Sequence, residues 1–508
     1  MKFSKNKKIQ KLIELSKEAT MLKGIGEVLD WDQNVNMPKN AAEGRSYQLA
    51  LISSITHQKV ASDQFGEVVK SLDKEIKENP AKFTLYDRVL VRESLRAYEK
   101  ATKLLKDFVE RESEAKSKGF EAWKEAKEKS DFSIFEPFLK KLVDLAIEEA
   151  GLLGYEDSPY DALLDKFEQG LTEKQVEKIL SPLRDFTVSF LQKVLNSNIT
   201  IDGEILKRKF NTQKQLEFGK ELAEDSGYSF DSGRLDIAPH PFTTEFGTSS
   251  DVRITTRVDE GNLPDSILST IHESGHGMYE QNIDKALDMT ILSEETSYAM
   301  HEAMARMWEN PIGRSKYFWN YQYPRLVRAF PKVISLGEKE KFISAINIVE
   351  PGFIRVDADE ITYNLHIILR FEIERDLIKG KVRVKDLPEI WNSKMQEYLG
   401  ITPPNDALGV LQDVHWSYGL FGYFPSYSIG NIYAAQLMNK MNKDIIGINK
   451  QLQEGDYTKI RTWLEKNVQQ YGKVLTAGEI CEKATGEKLN SKYLIEYLED
   501  KFGRIYKI

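Results

Sequence analysis

Cysteine occurs once in this chain of 508 residues, at Cys481, which excludes an internal disulfide and any zinc site built from several thiolates. Long apolar stretches are missing too, since no run approaches the roughly 20 residues that cross a bilayer. Neither charge sign dominates: 71 basic and 79 acidic residues are interleaved and the net charge is only −8. That balance offers no basic stripe for nucleic acid and no polybasic membrane anchor. The opening MKFSKNKKIQKLIELSKEATMLKG is basic, but Glu14, Lys17 and Glu18 break up the apolar core that a secretory signal needs. A cytoplasmic protein is expected, with no membrane and no nucleic-acid partner. Histidine is scarce as well, at seven residues, so any clustering among them carries information.

What is present describes a folded, helix-rich chain. Hydrophobic residues make up 41%, with 24 Phe and 22 Tyr to fill a core. Ile9, Leu12, Ile13 and Leu22 fall at helical spacing, and the turn-rich WDQNVNMPKN after Asp30 is expected to end that helix before a second starts near Ala41. Val91, Leu95, Tyr98, Leu105 and Phe108 fit one face of a long helix. Ser133 with Glu136, and Thr172 with Gln175, have the spacing of capping boxes. The first 230 residues therefore read as almost wholly helical.

Between Gly233 and Asp259 the texture changes to Thr, Val, Ile and Phe punctuated by Pro, Gly and Ser, which predicts two or three short strands. A Gly-, Pro- and Tyr-rich stretch from Gly400 to Gly430 is expected to be a functional loop. No linker marks a boundary. The chain reads as one catalytic domain over 1–508, with its active-site core at about 240–430.

The chemistry concentrates in LPDSILSTIHESGHGMYEQ, where His272, Glu273 and His276 form an H-E-x-x-H pattern. Two histidines four apart on a helix lie on one face about one turn apart, so their imidazoles can converge on one ion. Glu273, rotated about 100° from His272, is placed to act on a water rather than to ligate. A plainer reading, two ordinary histidines on a helix, sits poorly with Gly275 and Gly277. Each glycine costs a helix about 1 kcal/mol, which suggests that something approaches closely there.

A catalytic zinc site takes three protein ligands. The extended H-E-x-x-H-x-x-G-x-x-H pattern is absent, because Tyr279 and Asn282 hold its last two defined positions. The following segment SEETSYAMHEAMARMWEN offers Glu294, Glu295, His301, Glu302 and Glu309. Of the neighbours His301 and Glu302 only one is expected to face the metal, and Glu309 reads best as a solvated helix face. A ligating imidazole also needs an orienting partner, for which Asp251 and His240 are candidates.

HESGH followed by HEAMARMWENPIGRS, preceded by HPFT and DVRIT and followed by IRVDADEITYN and GVLQDVHW, together with WDQNVNMP and SPYDALLDKFEQG, resemble the Taq-type thermostable metallocarboxypeptidases over most of the chain. The resemblance implies a mainly α, two-lobed helical metallopeptidase with a small β-sheet beside a deep central active-site groove. It implies Glu302 as third ligand beside His272 and His276, one zinc or cobalt per chain, and a homodimer. It also implies release of single C-terminal residues from a peptide substrate with a free C-terminus, with broad specificity. An enzyme of that kind needs a cation for the terminal carboxylate, for which Arg355 is the first candidate and Arg253 the second, the plainer reading being pairing with Asp357 or Asp251. The family usually has Ser after the second His-Glu pair, where this chain has Ala303.

His415 and Tyr427, twelve apart, resemble the His and Tyr with which related oligopeptidases hydrogen-bond the developing oxyanion, while Trp416, Tyr418, Phe421 and Tyr423 read as packed aromatic core. Glu273 would be the general base. Two alternatives stand beside this reading: an oligopeptide endopeptidase with the same metal chemistry, and a helical binding protein with incidental histidines.

Overall fold

Alternation of charged and apolar residues at helical spacing dictates most of what a computed structural model shows. It describes residues 2–104 and 106–508, and helices occupy most of them, beside one three-stranded sheet. The first helix, Lys7–Val35, runs through Trp31 instead of ending after Asp30, and the next is Ala42–Val60. Leu105, expected in a single long helix, lies outside the described residues, and the described flanks form two helices, Leu85–Lys103 and Lys106–Lys129. Thr172 and Gln175 make the expected capping box. Ser133 does not: Asp131 caps the helix Phe132–Leu153 by accepting from the Ser133 N–H at 3.0 Å.

The chain divides into two units. The first comprises the segments to Thr102, Asp202–Ile346 and Leu437–Glu487. Its sheet has strands β1 (Leu235–Ile237), β2 (Thr243–Glu245) and β3 (Val252–Thr256) in the order β1-β3-β2. β1 runs parallel to β3, and β2 antiparallel with Thr243 opposite Ile254. Central β3 carries the apolar residues Val252 and Ile254, both fully buried, and packs on the helix Leu263–Gln281.

That helix, hereafter the central helix, starts where the Asn262 side chain accepts from the Asp265 N–H and Pro264 sits in the first turn, where its missing N–H has no role to fill. It is buried nearly all round, which only its small residues allow. A Cβ on Gly275 would lie 2.6 Å from the Ala305 Cα of the neighbouring helix Tyr298–Met307. One on Gly277 would meet the Tyr228 ring at 2.7 Å and Ile254 of β3 at 3.0 Å. The two glycines face opposite ways, so one admits the neighbouring helix and the other admits the sheet.

The second unit comprises Lys103–Ile201, Asn347–Gln436 and Lys488–Ile508. Its buried centre is the helix Thr362–Ile378, packed on Glu173–Leu195 and Leu387–Leu399. The stretch from Gly400 is irregular only as far as Phe424, because the helix Pro425–Asp444 begins at a proline, the residue best tolerated at a helix start. Tyr427 thus stands on a first helical turn, not in a loop.

Candidate metal centre

His272 and His276 stack one turn apart on the central helix, as their spacing requires, with Nε2 atoms 3.2 Å apart. The close approach at Gly275 brings Glu302 of the next helix to them, its Oε2 at 3.8 Å from His272 Nε2 and 3.7 Å from His276 Nε2. Among the described residues these are the donors that could hold an ion, all within 4.8 Å of one another. Ligands bound about 2.0–2.2 Å from a tetrahedral ion lie about 3.3–3.6 Å apart, so the triangle fits a small dication. Two imidazole nitrogens and one carboxylate oxygen converging without a thiolate are also a donor set suited to such an ion.

Each donor is braced from behind. Glu309 Oε2 lies 2.9 Å from His272 Nδ1, which turns Nε2 toward the centre. Arg306 donates from Nε to Glu302 Oε1 at 2.6 Å and from Nη1 to Glu309 Oε2 at 3.0 Å. Arg314 donates to the other Glu309 oxygen at 3.3 Å. The His276 ring stacks on His301 at 4.0 Å between centroids, and His301 Nε2 is in turn 2.8 Å from Glu280. His301 therefore lies against the His276 ring as a platform and turns its Nε2 to Glu280.

Glu309 corrects the sequence reading, which put it on a solvated face. It lies in a π-helical turn, Trp308–Ile312, containing Pro311. Proline lacks the N–H that would continue the α-helical ladder, and the chain widens to a bond from the Gly313 N–H to the Trp308 carbonyl. The extra residue in that turn carries Glu309 inward. The other two expected braces lie elsewhere: His240 is exposed, and Asp251 is engaged with Arg253.

Glu273 is also buried and accepts from the Thr243 hydroxyl at 2.7 Å through Oε2. Burial raises its pKa above the usual glutamate value, partly offset by His272 and by the Thr243 bond. Burial alone would depress His272, but Glu302 and Glu309 outweigh it and hold the imidazole above its ordinary pKa. Burial, then the neighbouring His301 and His272, push His276 well down. Burial opposes ionisation of Glu309, yet Arg306 foremost keeps its carboxylate far below the usual range.

In the second unit, Arg355, His415 and Tyr427 belong to one largely buried network, which the sequence did not reveal to be centred on Asp413. Arg355 donates from Nε to Asp413 Oδ1 at 3.0 Å and from Nη1 to the Tyr363 hydroxyl at 3.3 Å, and lies 4.9 Å over the Tyr427 ring. Its partner is Asp413, not Asp357. Arg370 holds the other Asp413 oxygen at 2.6 Å. His415 Nε2 is 3.2 Å from the Tyr427 hydroxyl, and burial pushes this imidazole down to about 3. Trp416 and Phe421 are buried as expected, whereas Tyr418 is 43% exposed. Arg253 forks onto Asp251 with two 2.9 Å bonds and lies between the Trp31 and Phe246 rings, which is the structural arrangement foreseen as its plainer reading.

Sequence reasoning missed Glu309, Thr243, Arg370 and Asp413. Pro311 was the available signal for the first; Asp413 stood unnoticed inside GVLQDVHW.

Comparison with known proteins adds the family. A family model described as carboxypeptidase Taq (M32) metallopeptidase matches residues 11–502. Carboxypeptidase 1 of Bacillus subtilis is 41% identical over 491 residues, covering 94% of this chain and 95% of that relative. Thermostable carboxypeptidase 1 of Pyrococcus furiosus is 37% identical and covers 94% of each. The crystal structure of an M32 carboxypeptidase from Deinococcus radiodurans superposes with a TM-score of 0.95 at 34% identity, covering 99% of this chain and 100% of that one.

Proposed function

The chain belongs to the carboxypeptidase Taq (M32) metallopeptidase family and is a metal-dependent carboxypeptidase, and from that premise we propose that His272, His276 and Glu302 hold its metal and Glu273 is its general base. The observation that carries this is the donor triangle with Glu273 one residue along the same helix. Zinc is the ion proposed, or cobalt, one per chain, since two imidazoles and one carboxylate with no thiolate suit a catalytic site of this kind. Bound there, the ion supplies Lewis-acid polarisation of a carbonyl and a lower pKa for water.

The residues of the chain do the rest. Glu273 takes a proton from the attacking water and returns it to the leaving amine. Arg355 is proposed to bind the C-terminal carboxylate of the substrate. Its hydrogen bonds to Asp413 and Tyr363 engage Nε and one Nη1 N–H, and a guanidinium has five N–H groups to give, which supports a further bidentate partner. Tyr427 and the neutral His415 are proposed as hydrogen-bond donors to the oxyanion, supported by their 3.2 Å contact and by the His-Tyr spacing.

The substrate is a peptide with a free C-terminus. A homodimer is proposed from the family, and the exposed Tyr47 and Leu51 on the helix Ala42–Val60 are available as apolar contacts. A cytoplasmic site of action is proposed; no helix among the described residues is long and apolar enough to cross a membrane.

Product analysis of one peptide with a free C-terminus and of its amide tests the reading. A carboxypeptidase releases single residues from the first and loses the second. Equal internal cleavage of both would instead establish an endopeptidase.

A further inference from the structure

We propose that Thr243 is a positioning residue for the general base: its hydroxyl holds one oxygen of the Glu273 carboxylate so that the other stays open to the water it deprotonates. The inference rests on Glu273 being the base.

A glutamate carboxylate turns about a soft terminal torsion, and at a buried site nothing else need fix which oxygen faces the reaction. Here Thr243 Oγ1 lies 2.7 Å from Glu273 Oε2 and 3.1 Å from the Glu273 backbone carbonyl. A hydroxyl has a single proton to give. The shorter distance and the charge on the carboxylate direct it to Oε2, because charge-assisted bonds are the stronger.

The position of that hydroxyl is itself built in. Strand alternation points Thr243 to the central helix, and the next residue, Thr244, points to the first helix, where it donates to Glu27 at 3.3 Å. β2 is pinned just before Thr243, where the Phe242 N–H donates to Thr255 Oγ1 at 2.8 Å and the Thr255 N–H returns a bond to the Phe242 carbonyl at 2.9 Å. The gap at Gly277 lets the sheet come close enough to the central helix for the contact. A β-branched side chain restricted at χ1 then aims the hydroxyl in one direction.

The rival explanation is a plain tie between strand and helix, made through the backbone carbonyl, and it predicts a stability effect without a kinetic one. Thr243→Val keeps the shape and removes the proton. The positioning role requires kcat to fall about 10- to 100-fold with KM and bound metal unchanged. Thr243→Ser, which restores the hydroxyl, recovers most of the rate. In a Glu273→Gln background the Val substitution has no further effect, because the group it positions is gone.

Should Val at 243 destabilise the sheet, Thr243→Ala against Thr243→Ser carries the same comparison, with thermal melting read in parallel. Wild-type kcat in Thr243→Val, or Ser performing no better than Val, would overturn the proposal, as would loss of metal or a change in KM alone. An active Glu273→Gln would overturn the base assignment itself. A fully active Thr243→Val beside an inactive Glu273→Gln would overturn only the positioning role.

Discussion

Each unit of this enzyme has a largely buried carboxylate gripped by two arginines, and the two hubs prepare opposite charges. In the first, Glu309 accepts from Arg306 and Arg314 and touches His272 at 2.9 Å. Counting Glu273 and Glu302, three carboxylates face two guanidiniums there, an environment that wants a cation. In the second, Asp413 alone faces Arg355 and Arg370, and His415 stands 4.0 Å off. Two guanidiniums against one carboxylate leave a positive charge that wants an anion. The histidines follow suit: His272 is raised by its carboxylates, whereas burial drives His415 down to about 3 and keeps it neutral. The same residue types thus carry opposite charge balances in the two places, and the proposed roles, a metal in one and a carboxylate in the other, follow those balances.

The contrast can be broken at several strengths. Glu273→Gln removes only the proton acceptor, so kcat should fall about 100- to 10,000-fold while metal analysis still finds the ion bound. Glu309→Gln should weaken metal affinity about 10- to 100-fold in a competitive chelator titration. Asp413→Asn should leave that affinity unchanged and raise KM for free C-terminal peptides. If Asp413→Asn also released the metal, the two hubs would not be separate devices.

Packing gives a smaller, cleaner pair. Gly275→Ala drives a Cβ to 2.6 Å from the Ala305 backbone and should lower unfolding stability by about 1–3 kcal/mol. Gly151, in the helix Phe132–Leu153, has nothing within 4 Å of the added carbon, and its change to Ala should stabilise by up to about 1 kcal/mol. Denaturant melts of the two variants check both signs.

The least effect concerns pH. Glu374 is fully buried, accepts from the Gly422 N–H, the Trp416 indole and the Tyr160 hydroxyl, and is raised by burial to about 7. Its folded pKa exceeds its unfolded one, so its contribution is complete below about 4.5 and is lost as pH rises to about 7. Denaturation at pH 5 and pH 8 should show that decline, and Glu374→Gln should flatten it. Glu309 and Asp413, both depressed by arginines, act oppositely and only at acid pH.

The first hub was far more legible than the second. Two histidines four apart on a helix declare their geometry locally, and the two glycines beside them announced a close approach. Glu302 could be separated from His301 only by resemblance, since neighbouring residues on a helix diverge and nothing local says which one faces inward. Glu309 was misplaced because helical spacing assumes 3.6 residues per turn, and Pro311 breaks that assumption. Arg355, Arg370, Asp413 and Tyr427 come from separate segments of the chain, joined by contacts that no periodicity encodes. The cap expected at Ser133 failed for a simpler reason: two polar residues competed, and the backbone chose the earlier one, Asp131.

The central claim, that the triangle of His272, His276 and Glu302 holds the metal of this carboxypeptidase, is tested most directly by metal analysis of the purified protein beside Glu302→Ala. The account predicts one ion per chain in the wild type and loss of bound metal and activity together in the variant. Wild-type metal content in Glu302→Ala would contradict it.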